Sequence, residues 1–310
     1  MSDGSPPNVE MAQPAYLGLT EGALRERAEG LRALASPCRL CPRACGVHRD
    51  RGERGFCQAG LAAWVASFGP HCGEEGVLVG EGGSGTIFFS GCVLRCLFCQ
   101  NATISQLGEG EELRVADLAR IMLHLQELGC TNVNLVTPTH QAPQIVAALS
   151  LAREAGLRLP LVWNCGGYES VEALQLLAGI VDIYMPDFKY GDDAAAASLS
   201  AAPDYVERAQ EALREMHRQV GDLVVENGVA VRGLLVRHLV LPHGIAGSEA
   251  VFRYLAREIS PQTFVNVLAQ YRPAHRAWER AELARPITRA EHEAALAWAR
   301  RFGLDRAGPH

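Results

Sequence analysis

The 310-residue chain contains no apolar run near the roughly 18 residues that a membrane-spanning helix needs. Its start, Met1 to Pro14, carries three prolines but neither the basic opening nor the apolar core of an export signal, so a flexible polar tail is expected over residues 1–20. Basic residues are not in excess either. With 29 Lys and Arg against 35 Asp and Glu, a net charge of −6 and a pI near 5.9, no nucleic-acid partner is expected. The glycines of GGSG, Gly82, Gly83 and Gly85, do not match a phosphate-binding fingerprint and read as a turn. Clustered cysteines favour metal binding in a reducing compartment over disulfides, which makes the cytoplasm the expected location. At 48% hydrophobic and 21% charged residues, the chain is long and apolar enough to bury a large core.

Against those absences stands one dense stretch. Cys92, Cys96 and Cys99 form CxxxCxxC in GCVLRCLFCQN, directly after the strand-like run Thr86 to Ser90. Ordinary [4Fe-4S] clusters take four cysteines, so a loop with three leaves one iron open for another ligand. S-adenosylmethionine is a cofactor of radical chemistry. An open iron can chelate its amino and carboxylate groups while an electron passes to the sulfonium, yielding a 5′-deoxyadenosyl radical. With Phe98 just before the third cysteine, the motif resembles that of the radical S-adenosylmethionine superfamily.

Along the chain, strand-like and helix-like segments alternate. Helical spacing predicts helices over Glu21 to Ala35, Val115 to Leu128, Gln144 to Ala155, Ser170 to Leu177, Asp204 to Val220, Ser248 to Ile259 and Arg289 to Phe302. Between them lie the apolar runs Thr86 to Ser90, Asn132 to Thr137, Leu159 to Trp163, Val181 to Met185, Gly233 to Leu241 and Thr263 to Leu268. Six strands joined by helices predict an α/β fold with a mostly parallel sheet. Periodicity alone is compatible with a doubly wound sheet as well as with a barrel fragment. The superfamily resemblance implies an open six-stranded partial (β/α)6 barrel, with an N-terminal helix and cysteine-rich segment over 21–80 and a core over 81–310. In either architecture, ligand groups belong at the carboxyl ends of the strands.

Each predicted strand delivers polar residues in or just past its apolar run: the cysteine loop; then Asn134, Thr137, Thr139 and His140; then Asn164, Tyr168 and Glu169; then Asp187 and Lys189; then Arg237 and His238; then Gln270 and Tyr271. Taken with GTIFFSGC, NLVTPTH, GYES, DIYMPDFKY, VRHLVLP and QYRP, roughly residues 36 to 290 resemble uncharacterised radical enzymes related to pyruvate formate-lyase activating enzymes. That resemblance implies a [4Fe-4S] cluster on Cys92, Cys96 and Cys99, adenine beside Phe98 and Gln100, and cofactor contacts from Asp187 and Lys189 of an Asp-x-Lys motif. Activases commonly carry a Gly-Gly-Glu type motif after the second strand, where this chain has Thr137-Pro-Thr139-His140. Thr137 and Thr139 then offer hydroxyl acceptors to the cofactor. His140 either faces substrate and moves a proton or is a buried structural histidine. Arg237 either pairs with a ligand carboxylate or forms an ion pair beneath the barrel mouth. His140 and Tyr271 are the catalytic candidates. The reaction calls for an electron donor such as a flavodoxin or ferredoxin, and the activase version takes a protein or peptide substrate with a backbone glycine. The rival is a non-catalytic iron-sulfur carrier or a zinc-bearing interaction protein on the same fold.

Upstream, Cys38, Cys41, Cys45 and Cys57 form CxxCxxxC followed by a fourth cysteine, in a loop punctuated by Pro42, Gly46, Gly52 and Gly55. Four thiolates can close a second site, holding either zinc or another iron-sulfur cluster. Around them, Arg39, Arg43, Arg49, Arg51 and Arg54 read as a solvated face. Cys72, Cys130 and Cys165 are left outside both ligand sets. His71, Glu74 and Glu75 read either as a hydrated turn or as lining for the site.

Overall fold

The computed structural model describes residues 13–309. Ten strands form one sheet: β1 (Ala63–His71), β2 (Ser84–Phe89), β3 (Glu111–Leu113), β4 (Val133–Val136), β5 (Leu161–Cys165), β6 (Ile183–Pro186), β7 (Val224–Glu226), β8 (Val229–Leu239), β9 (Phe264–Leu268) and β10 (Ala307–Gly308). The order is β10-β9-β8-β6-β5-β4-β2-β1-β3, with β7 paired to β8. The six expected strands are β2, β4, β5, β6, β8 and β9, and neighbours among them run parallel. Their spatial order follows chain order without reversal, whereas a doubly wound sheet reverses at a switch point. The sheet is also open: β2 and β9 pair outward with β1 and β10 instead of with each other. An open six-stranded (β/α)6 partial barrel is the architecture, extended on one flank by the antiparallel strands β1 and β3.

Strand alternation sorts the residues into two faces. On one face Leu161, Trp163, Tyr184, Leu234, Val236, Val265 and Val267 join a core with the helices Val115–Glu127, Ala142–Glu154, Val171–Leu176 and Tyr205–Val220. The last helix buries Tyr205, Ala209, Ala212, Leu213, Met216 and Val220, an apolar stripe at helical spacing. On the other face Val162, Ile183, Met185, Leu235 and Phe264 form a separate small cluster, closed by Leu78. Leu78 comes from the connection between β1 and β2, which carries the short helix Gly76–Val79. This connection re-enters the barrel and seals its floor.

The expected tail over residues 1–20 falls partly outside the described residues. The described part is docked: Ala15–Gly18 forms a 3-10 turn, the Ala15 amide donates to Asp182 Oδ1 at 2.7 Å, and buried Tyr16 donates its hydroxyl to the Leu159 carbonyl. Anchoring of the chain therefore begins ahead of the helix Glu21–Ala33, which Thr20 caps by accepting the Ala23 amide. Among the described residues no helix is long and apolar enough to cross a membrane.

Candidate cluster and cofactor site

Immediately after β2 the chain turns at Gly91, where φ is 81° and an added Cβ would fall 2.4 Å from the Cys57 carbonyl oxygen. Only glycine fits there. The turn delivers Cys92, Cys96 and Cys99 to the carboxyl end of the barrel, each with a polar neighbour at sulfur. The Leu94 amide donates to Cys92 Sγ at 3.3 Å, Ser200 donates to Cys96 Sγ at 2.9 Å, and Cys99 Sγ lies 3.2 Å from Ser105 Oγ. Burial raises the Cys92 and Cys96 thiols above their ordinary values, and the proximity of the other thiols adds to the effect, so these two sulfurs share one desolvated region with Cys99 close to both. Lys189 opposes that shift at both positions.

Lys189 reaches this region from the segment after β6. Its ammonium donates to Asp187 Oδ2 at 2.5 Å. Arg237 on β8 donates through Nε to Asp187 Oδ1 at 2.9 Å and through Nη2 to Asn164 Oδ1 at 2.7 Å. All three ionic side chains are about four-fifths buried, at 18–19% exposure. Burial alone would raise the Asp187 carboxyl, but Arg237 and Lys189 together hold it below the usual carboxylate range.

Beneath this layer sit two residues that fell outside the cofactor and catalytic sets. Glu74 Oε2 accepts from Asn134 at 2.9 Å and Asn164 at 3.5 Å, and Arg237 Nη1 lies 3.5 Å from Glu74 and 4.0 Å from Glu75. Asn266 on β9 donates to Glu75 Oε2. The hydrated-turn reading of this segment does not hold: Glu75 is buried, and burial raises its carboxyl in spite of Arg237. Because the segment precedes the barrel strands, strand-end logic overlooked it. Two adjacent carboxylates between glycines, just ahead of the buried Leu78, were the available signal.

Other expected site residues turn away from the mouth. Thr139 is buried and donates its hydroxyl to Glu169 Oε1 at 2.5 Å. Burial lifts Glu169 to about 7. His140 is fully buried, its Nε2 donates to the Ser90 carbonyl at 2.7 Å, and burial lowers its pKa to about 4. That neutral ring supports the turn before Cys92, which favours the structural alternative over proton transfer. Tyr271 is likewise buried, with its hydroxyl donating to the Leu283 carbonyl and its ring packed edge-on to Phe98 at 5.9 Å. Its placement is that of a wall for Phe98. Exposed Gln100 donates weakly to the Gln270 carbonyl at 3.4 Å. Thr137 adopts φ of 60° and anchors its amide on the Asn164 carbonyl.

The profile of the Radical SAM superfamily matches residues 86–239, the span from β2 through β8 that carries the cysteine loop, Asp187, Lys189 and Arg237. An uncharacterized protein of Methanocaldococcus jannaschii is 32% identical over 310 residues, which covers 96% of this chain and 82% of the relative. The chain belongs to the radical SAM superfamily. A pyruvate formate-lyase-activating enzyme of Listeria monocytogenes is 27% identical over 124 residues, 37% of this chain and 50% of that protein. Among solved structures, the FeFe-hydrogenase maturase HydG from Carboxydothermus hydrogenoformans aligns at 13% identity over 71% of this chain and 50% of its own, with a TM-score of 0.49. Membership in the radical SAM superfamily supports an enzyme, and the superfamily typically uses a [4Fe-4S] cluster and S-adenosylmethionine.

The residues present fit that cofactor pair. Three sulfurs, that of Cys96 buried and those of Cys92 and Cys99 half-buried, each with a polar neighbour, are donors of the right softness for iron. Among the described residues no group of three or more Cys, His, Asp or Glu is arranged to hold a single metal ion. A cube, which takes one thiolate on each of several irons, spaces its ligands apart and does not require them to converge.

Proposed function

We propose that this radical SAM protein holds a [4Fe-4S] cluster on Cys92, Cys96 and Cys99 and binds S-adenosylmethionine at the barrel mouth. When bound, the pair supplies reductive cleavage of the sulfonium to methionine and a 5′-deoxyadenosyl radical, which takes hydrogen from a substrate carbon. The observation that carries the reading is the approach of Lys189 to the cysteine loop while Asp187 is held ionised beside it by Arg237. A zwitterionic cofactor has a carboxylate for the ammonium of Lys189 and cationic groups for Asp187. Phe98, backed by Tyr271, offers an apolar face to a base. Leu78 and its neighbours close the opposite end of the barrel and exclude water from below, which protects a radical from quenching. The local similarity to the Listeria activating enzyme favours the activase version, in which a protein backbone glycine is the carbon attacked, and the reductive step calls for a one-electron donor such as a flavodoxin or ferredoxin.

Lys189 is the only lysine in the chain, so an amine-reactive reagent has one side-chain target. In the anaerobically reconstituted protein, S-adenosylmethionine should protect Lys189 from acylation, and Asp187→Asn should weaken that protection. Under reductant, 5′-deoxyadenosine should form in the wild type and not in the Cys92→Ala/Cys96→Ala/Cys99→Ala variant. Equal acylation with and without cofactor, together with no 5′-deoxyadenosine from a well-loaded cluster, would favour an electron carrier on this fold.

A further inference from the structure

The N-terminal cysteines take no part in the site above, and the expected solvated arginine face around them has one clear exception. Arg49 is only 3% exposed. Its Nη1 donates to the His140 carbonyl at 2.7 Å, its Nη2 to Cys38 Sγ at 3.3 Å and to Cys57 Sγ at 3.7 Å, and its Nε has no partner. Among the described residues no carboxylate stands within ion-pair distance of it. A guanidinium stays charged in a protein, and a buried charge without a counter-charge is strongly unfavourable. Apart from the neutral His140 carbonyl, the atoms that accept from Arg49 are sulfurs, so the negative charge belongs to the cysteines.

We infer that Cys38, Cys41, Cys45 and Cys57 hold a second iron-sulfur cluster, with Arg49 as its buried counter-charge. Four thiolates outweigh the charge of the cube they bind, so the filled site is a net anion of the kind Arg49 needs. Cys41 lies in electrostatic reach of Cys38 and Cys57, and Cys57 in reach of Cys38 and Cys45. The backbone makes room for the sulfurs: a Cβ on Gly55 would stand 2.6 Å from Cys45 Sγ, although the conformation of Gly55 itself does not demand glycine. Turns at Ala44 and Gly46 fold Cys38 and Cys41 back on one another, through the Gly46 amide to the Cys38 carbonyl and the Ala44 amide to the Cys41 carbonyl. Zinc on four thiolates carries the same net charge; the position beside the first cysteine loop, where a redox-active centre can pass an electron, favours the cube.

The segment is clamped to the first cysteine loop. Arg43 donates to the Val93 carbonyl at 2.6 Å and stacks 3.4 Å over Phe56, while Arg95 donates to the Phe56 carbonyl. A cavity of about 510 Å3 opens between the two segments, lined by Arg54, Phe56, Cys57, Gly91, Arg95 and Ser105. A cluster here therefore neighbours the loop of Cys92, Cys96 and Cys99, yet is held by other residues.

The full chain carrying Cys92→Ala, Cys96→Ala and Cys99→Ala, reconstituted anaerobically with ferrous iron and sulfide, separates the second site from the first. It should retain roughly half the iron and sulfide of the wild type and give a cluster EPR signal on reduction, as expected when one of two cubes is deleted. No iron-sulfur species, or zinc in its place, would overturn the inference. Adding Cys45→Ala, which alters an exposed residue and leaves the core intact, should abolish or degrade the remaining cluster. An unchanged cluster would count against the ligand set. In the same background, Arg49→Gln should make the cluster harder to reduce and Arg49→Lys should largely restore its potential. Identical potentials in all three would remove Arg49 from the role assigned to it.

Discussion

Replacing Arg237 with methionine tests the charge balance of the barrel. The guanidinium stands 2.9 Å from Asp187, 3.5 Å from Glu74 and 4.0 Å from Glu75, and also donates to Asn164. Without it, Asp187 keeps Lys189, while largely buried Glu74 and Glu75 lose their ion-pair partner. Removing one partner of a buried ion pair typically costs about 3–5 kcal/mol, because the other charge is left uncompensated. The urea midpoint should therefore fall by on the order of 1 M or more. The pH dependence follows from the same groups. Burial raises the Glu75 carboxyl, so its favourable contribution is complete below its unfolded pKa and fades as pH rises through the folded value. Asp187 is depressed, so its contribution is present above its unfolded pKa and is lost as pH falls through the folded value. Arg237→Met removes the cation that lowers both, and its deficit should be largest near pH 8 and shrink toward about pH 5. Adding Glu75→Gln should recover part of the loss at neutral pH. A deficit below about 1 kcal/mol, or one that is flat with pH, is the behaviour of a solvated pair and would refute the buried-network account.

Two smaller predictions concern the barrel floor and the buried acid behind the mouth. Leu78→Ala deletes a fully buried side chain packed among Val162, Ile183, Met185, Leu235 and Phe264 and should cost about 2–5 kcal/mol in urea unfolding, whereas a loss near zero would mean that the segment does not seal the barrel. Glu169, raised by burial to about 7, contributes stability that is fully present below its unfolded value and lost as pH rises through about 7, so Glu169→Gln should flatten the stability profile across that interval. An unchanged slope would show that another group titrates there.

The parallel strands were legible because each is covered on both faces and reads as a continuous apolar run. β1 was not, since AWVASFGPH contains glycine and proline and much of its length is exposed. The hairpin of β7 and β8 carried a signal in Asn227-Gly228, where both residues adopt positive φ, but β7 is only three exposed residues long. Barrel and doubly wound sheets share the same alternation, and only the unreversed strand order separates them. Residue type singled out the three cysteines, Asp187, Lys189 and Arg237, and the fold brings the last three into one hydrogen-bonded group. Residue type could not find orientation: Thr139, His140 and Tyr271 sit in the same strand-end stretches, yet the two hydroxyls and His140 Nε2 donate to Glu169 and to backbone carbonyls. The resemblance left Arg237 between a ligand partner and a structural ion pair, and in the structure its donors lie on Asp187, Asn164 and the glutamates below.

That arrangement explains why two cations lie so close together at the mouth. Arg237 is a planar fork whose donors are divided among Asp187, Asn164 and the glutamates below, so it is fixed in one geometry. Lys189 Nζ donates to Asp187 alone among the described residues, on a flexible stem with three rotatable donors. The fork keeps Asp187 in place and ionised whether or not Lys189 is engaged. Under the proposed cofactor binding, Lys189 would then swing part of its hydrogen bonding to the cofactor carboxylate without leaving Asp187 unpaired. Arginine at position 189 would preserve the charge but commit a second rigid fork to the same carboxylate, and the only lysine in a chain otherwise supplied with arginine stands where a movable point charge is needed.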